Sequence, residues 1–246
     1  MKKHPYLYSC IIITVVWELA SLLVSEGFFP APYDTVVYFA RHLPTISLHL
    51  LMSFLRIFAA IVITVLAGSA TGIFAARNAG ADALVSPLLY TLYPVPKIAF
   101  LPLLMLFLGL GNGSKIALVS LILFFQIAIS VRDSVRNVHP AYFISIRSLG
   151  ATRFQVYRHV ILPAILPNLF TAVRISVGTS ISVLFFAENF ATEHGIGYYI
   201  MDSWLRLDYK AMFAGIIAIS LMGSILFKLI DYAEIAVCRW KSSAGS

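Results

Sequence analysis

Charge is what this sequence has least of. Only 12% of its 246 residues are Asp, Glu, Lys or Arg and 60% are hydrophobic, whereas a soluble domain carries roughly 25% charge. A soluble chain of this length could fill a core but could not cover its exterior with so few charges, so the composition implies an integral membrane protein. Cysteine is almost missing as well. Cys10 and Cys238 stand near opposite ends of the chain, which excludes a cysteine metal site and argues against a disulfide. Catalytic signatures are absent. There is no His-Glu-x-x-His or Gly-x-Ser-x-Gly string, and the histidines (His4, His42, His49, His139, His159, His194) include no metal-ligand pair on one helix. The string nearest to a phosphate-binding loop, Gly109-Leu110-Gly111-Asn112-Gly113-Ser114-Lys115, breaks the required order. A membrane-embedded enzyme and a passive channel therefore stand as distant alternatives. The net charge of +7 is the Lys/Arg bias of cytoplasmic loops, and no nucleic-acid partner is expected.

What is abundant is apolar sequence. A helix that crosses a bilayer needs about 20 mostly apolar residues. Six stretches qualify: 7–24, 50–76, 84–108, 115–131, 163–187 and 211–237. The first follows a basic start, like a signal peptide, but lacks a convincing cleavage site and is expected to stay as a span. The fold class is thus an all-α integral membrane protein with six transmembrane helices. With the N-terminus inside, Lys2, Lys3, Arg77, Arg132, Arg136, Arg147, Arg153, Arg158, Arg239 and Lys241 face the cytoplasm. Arg41, Lys115, Arg206 and Lys210 face outward. This bias places both termini in the cytoplasm.

Several spans carry irregular or polar residues. Pro87, Pro94, Pro96 and Pro102 fall in the third, and a mid-helix proline removes a hydrogen bond and kinks the helix. That span should be broken, as a kinked packing helix or as the wall of a pathway. Gly68-Ser69-Ala70-Thr71-Gly72 in the second span is a small-residue seam for close helix approach. In the fifth, Ser176 and Ser180 share a face, with Thr179 and Ser182 beside them. Interhelical bonding and a cavity for a polar solute are both open readings. Arg56, Lys97 and Arg174 lie in apolar stretches, where a charge needs a partner, a carbonyl or water. They are read either as structural cations, with Glu18 a candidate partner, or as groups that meet an anionic solute. The acidic stretch after the fifth span begins at Glu188.

One loop stands apart. Residues 132–162 hold Arg132, Arg136, Arg147, Arg153 and Arg158. A helix over 141–149 should stop at Gly150, and Thr152 and Gln155 have capping-box spacing. A second short helix is expected from Arg153 to about Leu162, with Pro163 opening the next span. Phe154, Val156, Tyr157 and Val160 set apolar teeth among the arginines. The loop either docks into a groove on another protein or lies on the bilayer face.

Gly150, nine residues, then Val160-Ile161-Leu162-Pro163 resembles the Glu-Ala-Ala loop of ABC-importer permeases. Tyr93-Pro94-Val95-Pro96-Lys97, Leu101-Pro102-Leu103, Leu108-Gly109-Leu110-Gly111, Ala187-Glu188, Gly195-Ile196-Gly197-Tyr198 and Arg239-Trp240 are similar to motifs of its nitrate/sulfonate/taurine class, in the same order. The resemblance implies one permease domain over 1–246, with a cytoplasmic coupling helix between spans 4 and 5, in a bacterial inner membrane. It implies an ATPase chain that carries ATP and Mg, an extracytoplasmic solute-binding protein, a permease homodimer, lipid contact, and no cofactor on this chain. The ATPase-coupling residues would be Ile144, Ser145, Arg147, Gly150, Ala151, Arg153, Phe154, Tyr157 and Pro163. The pathway candidates are Arg56, Pro96, Lys97, Arg174, Ser176, Thr179, Ser180 and Glu188. The class imports nitrate, taurine and other sulfonates, with vitamin precursors such as the thiamine pyrimidine as the alternative. One departure stands out: Ile144, Ser145 and Ile146 occupy the Glu-Ala-Ala positions, so the loop's acidic residue is missing.

Overall fold

In the computed structural model of the protein, residues 5–24 and 28–242 are described. Lys2, Lys3 and Glu26 lie outside them. Every regular element among the described residues is helical: α1 (Pro5–Leu23), α2 (Pro32–Arg41), α3 (Leu43–Arg77), α4 (Ala79–Leu92), α5 (Leu101–Leu108), α6 (Asn112–Arg136), α7 (Pro140–Ser148), α8 (Arg153–Val156), α9 (Leu162–Glu188), α10 (Ile196–Leu205), α11 (Tyr209–Val237) and α12 (Arg239–Ser242). A 3₁₀ turn, Lys97–Phe100, precedes α5, and a π turn, Tyr157–Ile161, joins α8 to α9.

By length and composition, α3, α6, the run Arg153–Glu188 and α11 can each cross a membrane. The pair Ala79–Leu92 and Lys97–Leu108 also qualifies, bent by 92° at its break. Four spans follow among the described residues, or five with the bent pair counted as one. The expected first span is where the counts differ, because the apolar part of α1, Cys10–Leu23, reaches only about 21 Å at 1.5 Å per residue. The stretch between the first two expected spans holds α2 and the first turns of α3, whose 35 residues run about 52 Å without interruption.

The chain packs as two compact units. One comprises Met1–Phe54 and Glu188–Met222. Its centre is aromatic: Trp17 and Phe29 pack on Phe213, Phe28 packs edge-on to Tyr209, and the Trp17 indole donates to the Pro30 carbonyl at 3.0 Å. The Lys210–Asp34 ion pair (2.7 Å) and a Tyr38 hydroxyl bond to Asp208 (3.2 Å) tie α2 to the start of α11. Burial, then the Asp208 carboxylate, pushes the Tyr38 phenol up, and burial does the same to Tyr199, so both remain neutral donors.

The other unit comprises Leu55–Ala187 and Gly223–Ser246. Here the small-residue seam does what its composition implies. A Cβ on Gly72 would stand 2.6 Å from the Ala128 carbonyl and 2.9 Å from the Arg132 amide, and one on Gly68 would stand 3.0 Å from the Ile127 side chain. Glycine therefore sets the close approach of α3 to α6. A second contact, Leu101, Leu118 and Ala187, joins α5, α6 and α9.

Candidate solute pathway and coupling loop

The break after α4 follows from its prolines. Pro87 is absorbed inside α4, and Pro102 sits in the first turn of α5, where a missing amide costs nothing. Pro94 and Pro96 fall between. Pro96 has no amide to return to the Leu92 carbonyl, and that oxygen accepts instead from Val95 N–H (3.3 Å) and from the Lys97 ammonium (2.9 Å). The ammonium also donates to the Tyr93 carbonyl. It thus caps the negative end of α4 and lies 4.7 Å from the Phe125 ring centroid, a cation–π distance. One side of Lys97 faces a cavity of about 430 Å³ lined by Tyr93, Gln126, Thr179, Ser182 and Phe186 among others. The Gln126 carboxamide and the Thr179 hydroxyl have no hydrogen-bond partner among the described residues. The cavity can therefore offer one cation, an amide and hydroxyls between aromatic walls, the chemistry that suits a small anion with a short apolar or polar tail.

The charged loop folds as its punctuation requires. His139 opens α7, its Nδ1 accepting from Ala141 N–H at 3.2 Å. Gly150 adopts φ +76°, the left-handed conformation that glycine takes without strain. Gly150 N–H bonds to Arg147 and Ala151 N–H to Ile146, a Schellman stop. Thr152 and Gln155 then form a reciprocal capping box. Beyond it the expected short helix does not end near 162. Four α-helical residues pass into the π turn, where Leu162 N–H reaches back five residues to Tyr157, and the chain runs on into α9. Tyr142, Ile144 (68% exposed), Leu149 and Phe154 (67%) present an apolar surface. Arg147, Arg153 and Arg158 form no ion pair among the described residues. By contrast Arg132 bonds both oxygens of Asp82 (2.7 and 3.1 Å), and Arg136 joins the same carboxylate.

The profile of the family described as "Binding-protein-dependent transport system inner membrane component" matches residues 68–235. The chain belongs to that family. It is 32% identical to the taurine transport system permease protein TauC of Escherichia coli (strain K12), over 88% of this chain and 82% of that protein. It is 30% identical to the putative aliphatic sulfonates transport permease protein SsuC of Bacillus subtilis (strain 168), over 94% and 86%. It is 25% identical to the formylaminopyrimidine transport permease protein ThiX of Halalkalibacterium halodurans, over 94% and 93%. The fold is similar to that of a chain from inward-facing crystals of the methionine ABC transporter MetNI, with a TM-score of 0.59 at 21% identity, covering 80% of this chain and 94% of that one. The protein is a multi-pass permease of ABC-importer type. Taurine and sulfonates are named among these relatives; nitrate is not.

Within this permease the residues singled out from sequence separate. Lys97 and Thr179 share the cavity, and Pro96 sits at its break. Ser176 and Ser180 do share a face, but that face is interior: both are fully buried and donate to carbonyls four residues back at 2.7 Å. Thr179 and Ser182 occupy the cavity side, because each residue turns the helix by about 100°. Arg56 is buried with its Nε on Asn112 at 2.8 Å. Arg174 pairs with Asp231 and Glu234 of α11 at 2.5 and 2.6 Å, so its carboxylates come from α11 rather than Glu18, which is exposed. Lys115, counted above as an outer-loop charge, is 1% exposed and donates to the Leu110 and Gly111 carbonyls.

Glu188 is fully buried. Its oxygens lie 2.7 and 2.9 Å from Ser53 Oγ, and one accepts from Gly197 N–H at 2.8 Å. Ser53 Oγ accepts in turn from Ile196 N–H at 2.8 Å. The carboxylate therefore occupies the positive end of α10 and satisfies its first amides. Gln126 was missed by sequence reading. Its signal was a lone carboxamide in the apolar run of α6, which charge counting passes over.

Proposed function

We propose that this permease imports a small organic sulfonate, such as taurine or an alkanesulfonate, across a bacterial inner membrane. The observation that carries the reading is the cavity in which Lys97 meets Gln126, Thr179 and Ser182, because an ammonium with open hydroxyl and amide neighbours selects a compact anion. Taurine and sulfonate transport by the relatives TauC and SsuC supports it. Formylaminopyrimidine import is the second reading, supported by ThiX and by the aromatic walls Tyr93 and Phe186.

The proposed topology has six spans with both termini cytoplasmic, and α1 is the first of them. Two copies form the path. A separate ATPase binds ATP and Mg and seats the apolar, arginine-flanked surface of Ile144, Phe154 and their neighbours. A solute-binding protein delivers the solute on the opposite side, at the segments around α10. ATP binding moves the loop, and the spans exchange inward and outward openings. Each ligand shifts that exchange only by its different affinity for the two states.

The test is ATP hydrolysis and uptake by the permease co-assembled with its ATPase in nanodiscs and vesicles. Binding proteins loaded with taurine, ethanesulfonate, formylaminopyrimidine or nitrate are offered in turn. Stimulation by a sulfonate, lost in Lys97→Gln, is expected. Stimulation by the pyrimidine alone, indifferent to Lys97, selects the second reading. No ATPase association at all overturns both.

A further inference from the structure

A second cavity, of about 590 Å³, lies at the root of the coupling loop, away from Lys97. Its volume falls in the range of small-molecule sites. His139 comes from the start of α7, His159 from the π turn, Asn137 from the end of α6, and Trp240 from α12. No carboxylate is among its lining residues, so no negative charge there favours a cation. Nor does the site suit a metal, since no group of three metal-ligating side chains exists among the described residues.

The donors are built in. His139 Nδ1 is occupied as an acceptor by the Ala141 amide, which leaves the proton on Nε2 and makes that nitrogen a donor. Asn137 adds a carboxamide, and the Tyr142 hydroxyl and the Trp240 indole N–H are further donors. Val160, Pro163 and the indole ring supply apolar wall. Imidazole, amide and indole donors around an apolar floor, with no acid, are the complement of an anion carried on an apolar body.

We propose that this cavity binds a small organic anion, a carboxylate, sulfonate or phosphate with an apolar portion, and that the bound anion braces the coupling loop. The bracing follows from where the two histidines sit. His139 caps the first helix of the loop and His159 stands in the π turn at its far end. A ligand bonded to both fixes one end relative to the other. π turns interrupt the regular ladder and recur at functional positions, and here the turn leads directly into α9. Two sources share the chemistry: a soluble cytoplasmic anion, or the phosphate of an anionic lipid.

The experiment uses the full permease carrying Trp17→Phe and Trp204→Phe, so that Trp240 is the only tryptophan and is excited selectively over the tyrosines, in phosphatidylcholine nanodiscs. Benzenesulfonate is titrated against benzyltrimethylammonium, which has the same ring and the opposite charge. A saturable change in Trp240 emission with the sulfonate and none with the cation is expected. His139→Asn, which keeps an acceptor at the α7 cap, and His159→Gln should each weaken binding at least fivefold. Lys97→Ala should leave it unchanged, which separates this site from the proposed pathway. Repeating the titration in phosphatidylglycerol nanodiscs identifies the source. Unchanged sulfonate affinity points to a soluble anion. A shifted Trp240 emission with sulfonate binding blocked points to the lipid headgroup. Equal response to both ions, a signal that never saturates, or wild-type affinity in both histidine variants overturns the proposal. So does parallel loss of binding in Lys97→Ala.

Discussion

Two groups of charges in this permease meet opposite fates. Glu188, Arg132 and Arg174 are satisfied inside the protein: Glu188 by Ser53 and an α10 amide, Arg132 by Asp82, and Arg174 by Asp231 with Glu234. Lys97 faces a cavity, and Arg147, Arg153 and Arg158 face outward with no ion pair among the described residues. The first group closes helix to helix. The second is available to something that the chain itself does not contain. Satisfied charges should therefore govern stability, and available charges should govern transport and docking.

The sharpest way to break that comparison is Glu188→Ala. It strips the buried acceptor from Gly197 N–H and Ser53, and unfolding in detergent should show a loss of about 3 kcal/mol. Glu188→Gln, which keeps one acceptor oxygen, should lose less. An unchanged melting temperature with abolished uptake would move Glu188 into the second group. Next comes Asp82→Ala, which leaves Arg132 largely covered without its carboxylate. Because Asp82 is 21% exposed, solvent screens the pair and the expected loss is smaller than that of Glu188→Ala.

On the other side of the comparison, Lys97→Gln keeps a donor for the Leu92 carbonyl but removes the charge. Sulfonate uptake should fall about tenfold, a 1.4 kcal/mol effect, while melting shifts little. A large melting shift would place Lys97 with the structural cations. Phe154→Ala should weaken ATPase binding by about 1 kcal/mol and leave unfolding unchanged, measured by co-purification and denaturation of the same protein. Smallest is Ile144→Glu, which restores the acidic residue of the family loop. On this exposed turn it can pair with Arg147 three residues on, worth a few tenths of a kcal/mol, and stimulated ATP hydrolysis should change less than threefold. A tenfold rise would mean that the missing acid limits coupling.

Which features were legible in the sequence depends on how local their cause is. The stop at Gly150 and the capping box at Thr152 involve bonds spanning three to five residues, so residue order was enough to read them. The broken span was equally plain, because proline lacks an amide in any context. The π turn was not legible, since α and π registers are built from the same residue types. The length of the first apolar helix was not legible either, because an apolar run says nothing of where its helix starts and stops, and the apolar part of α1 covers only Cys10–Leu23.

The sequence by itself determined that this is a helical membrane protein, a permease of the binding-protein-dependent family with a punctuated basic loop. Composition, proline chemistry and short-range hydrogen bonding suffice for the helical membrane class and the loop, and the resemblance of its motifs carries the family. Only the tertiary structure decided which polar groups are used up. Ser180 and Thr179 are neighbours in the chain, yet one is buried against a carbonyl and the other opens to the cavity. Arg174 finds its carboxylates 57 and 60 residues away. Periodicity groups residues by face, but which face meets protein and which meets a cavity is set by the helices packed against it.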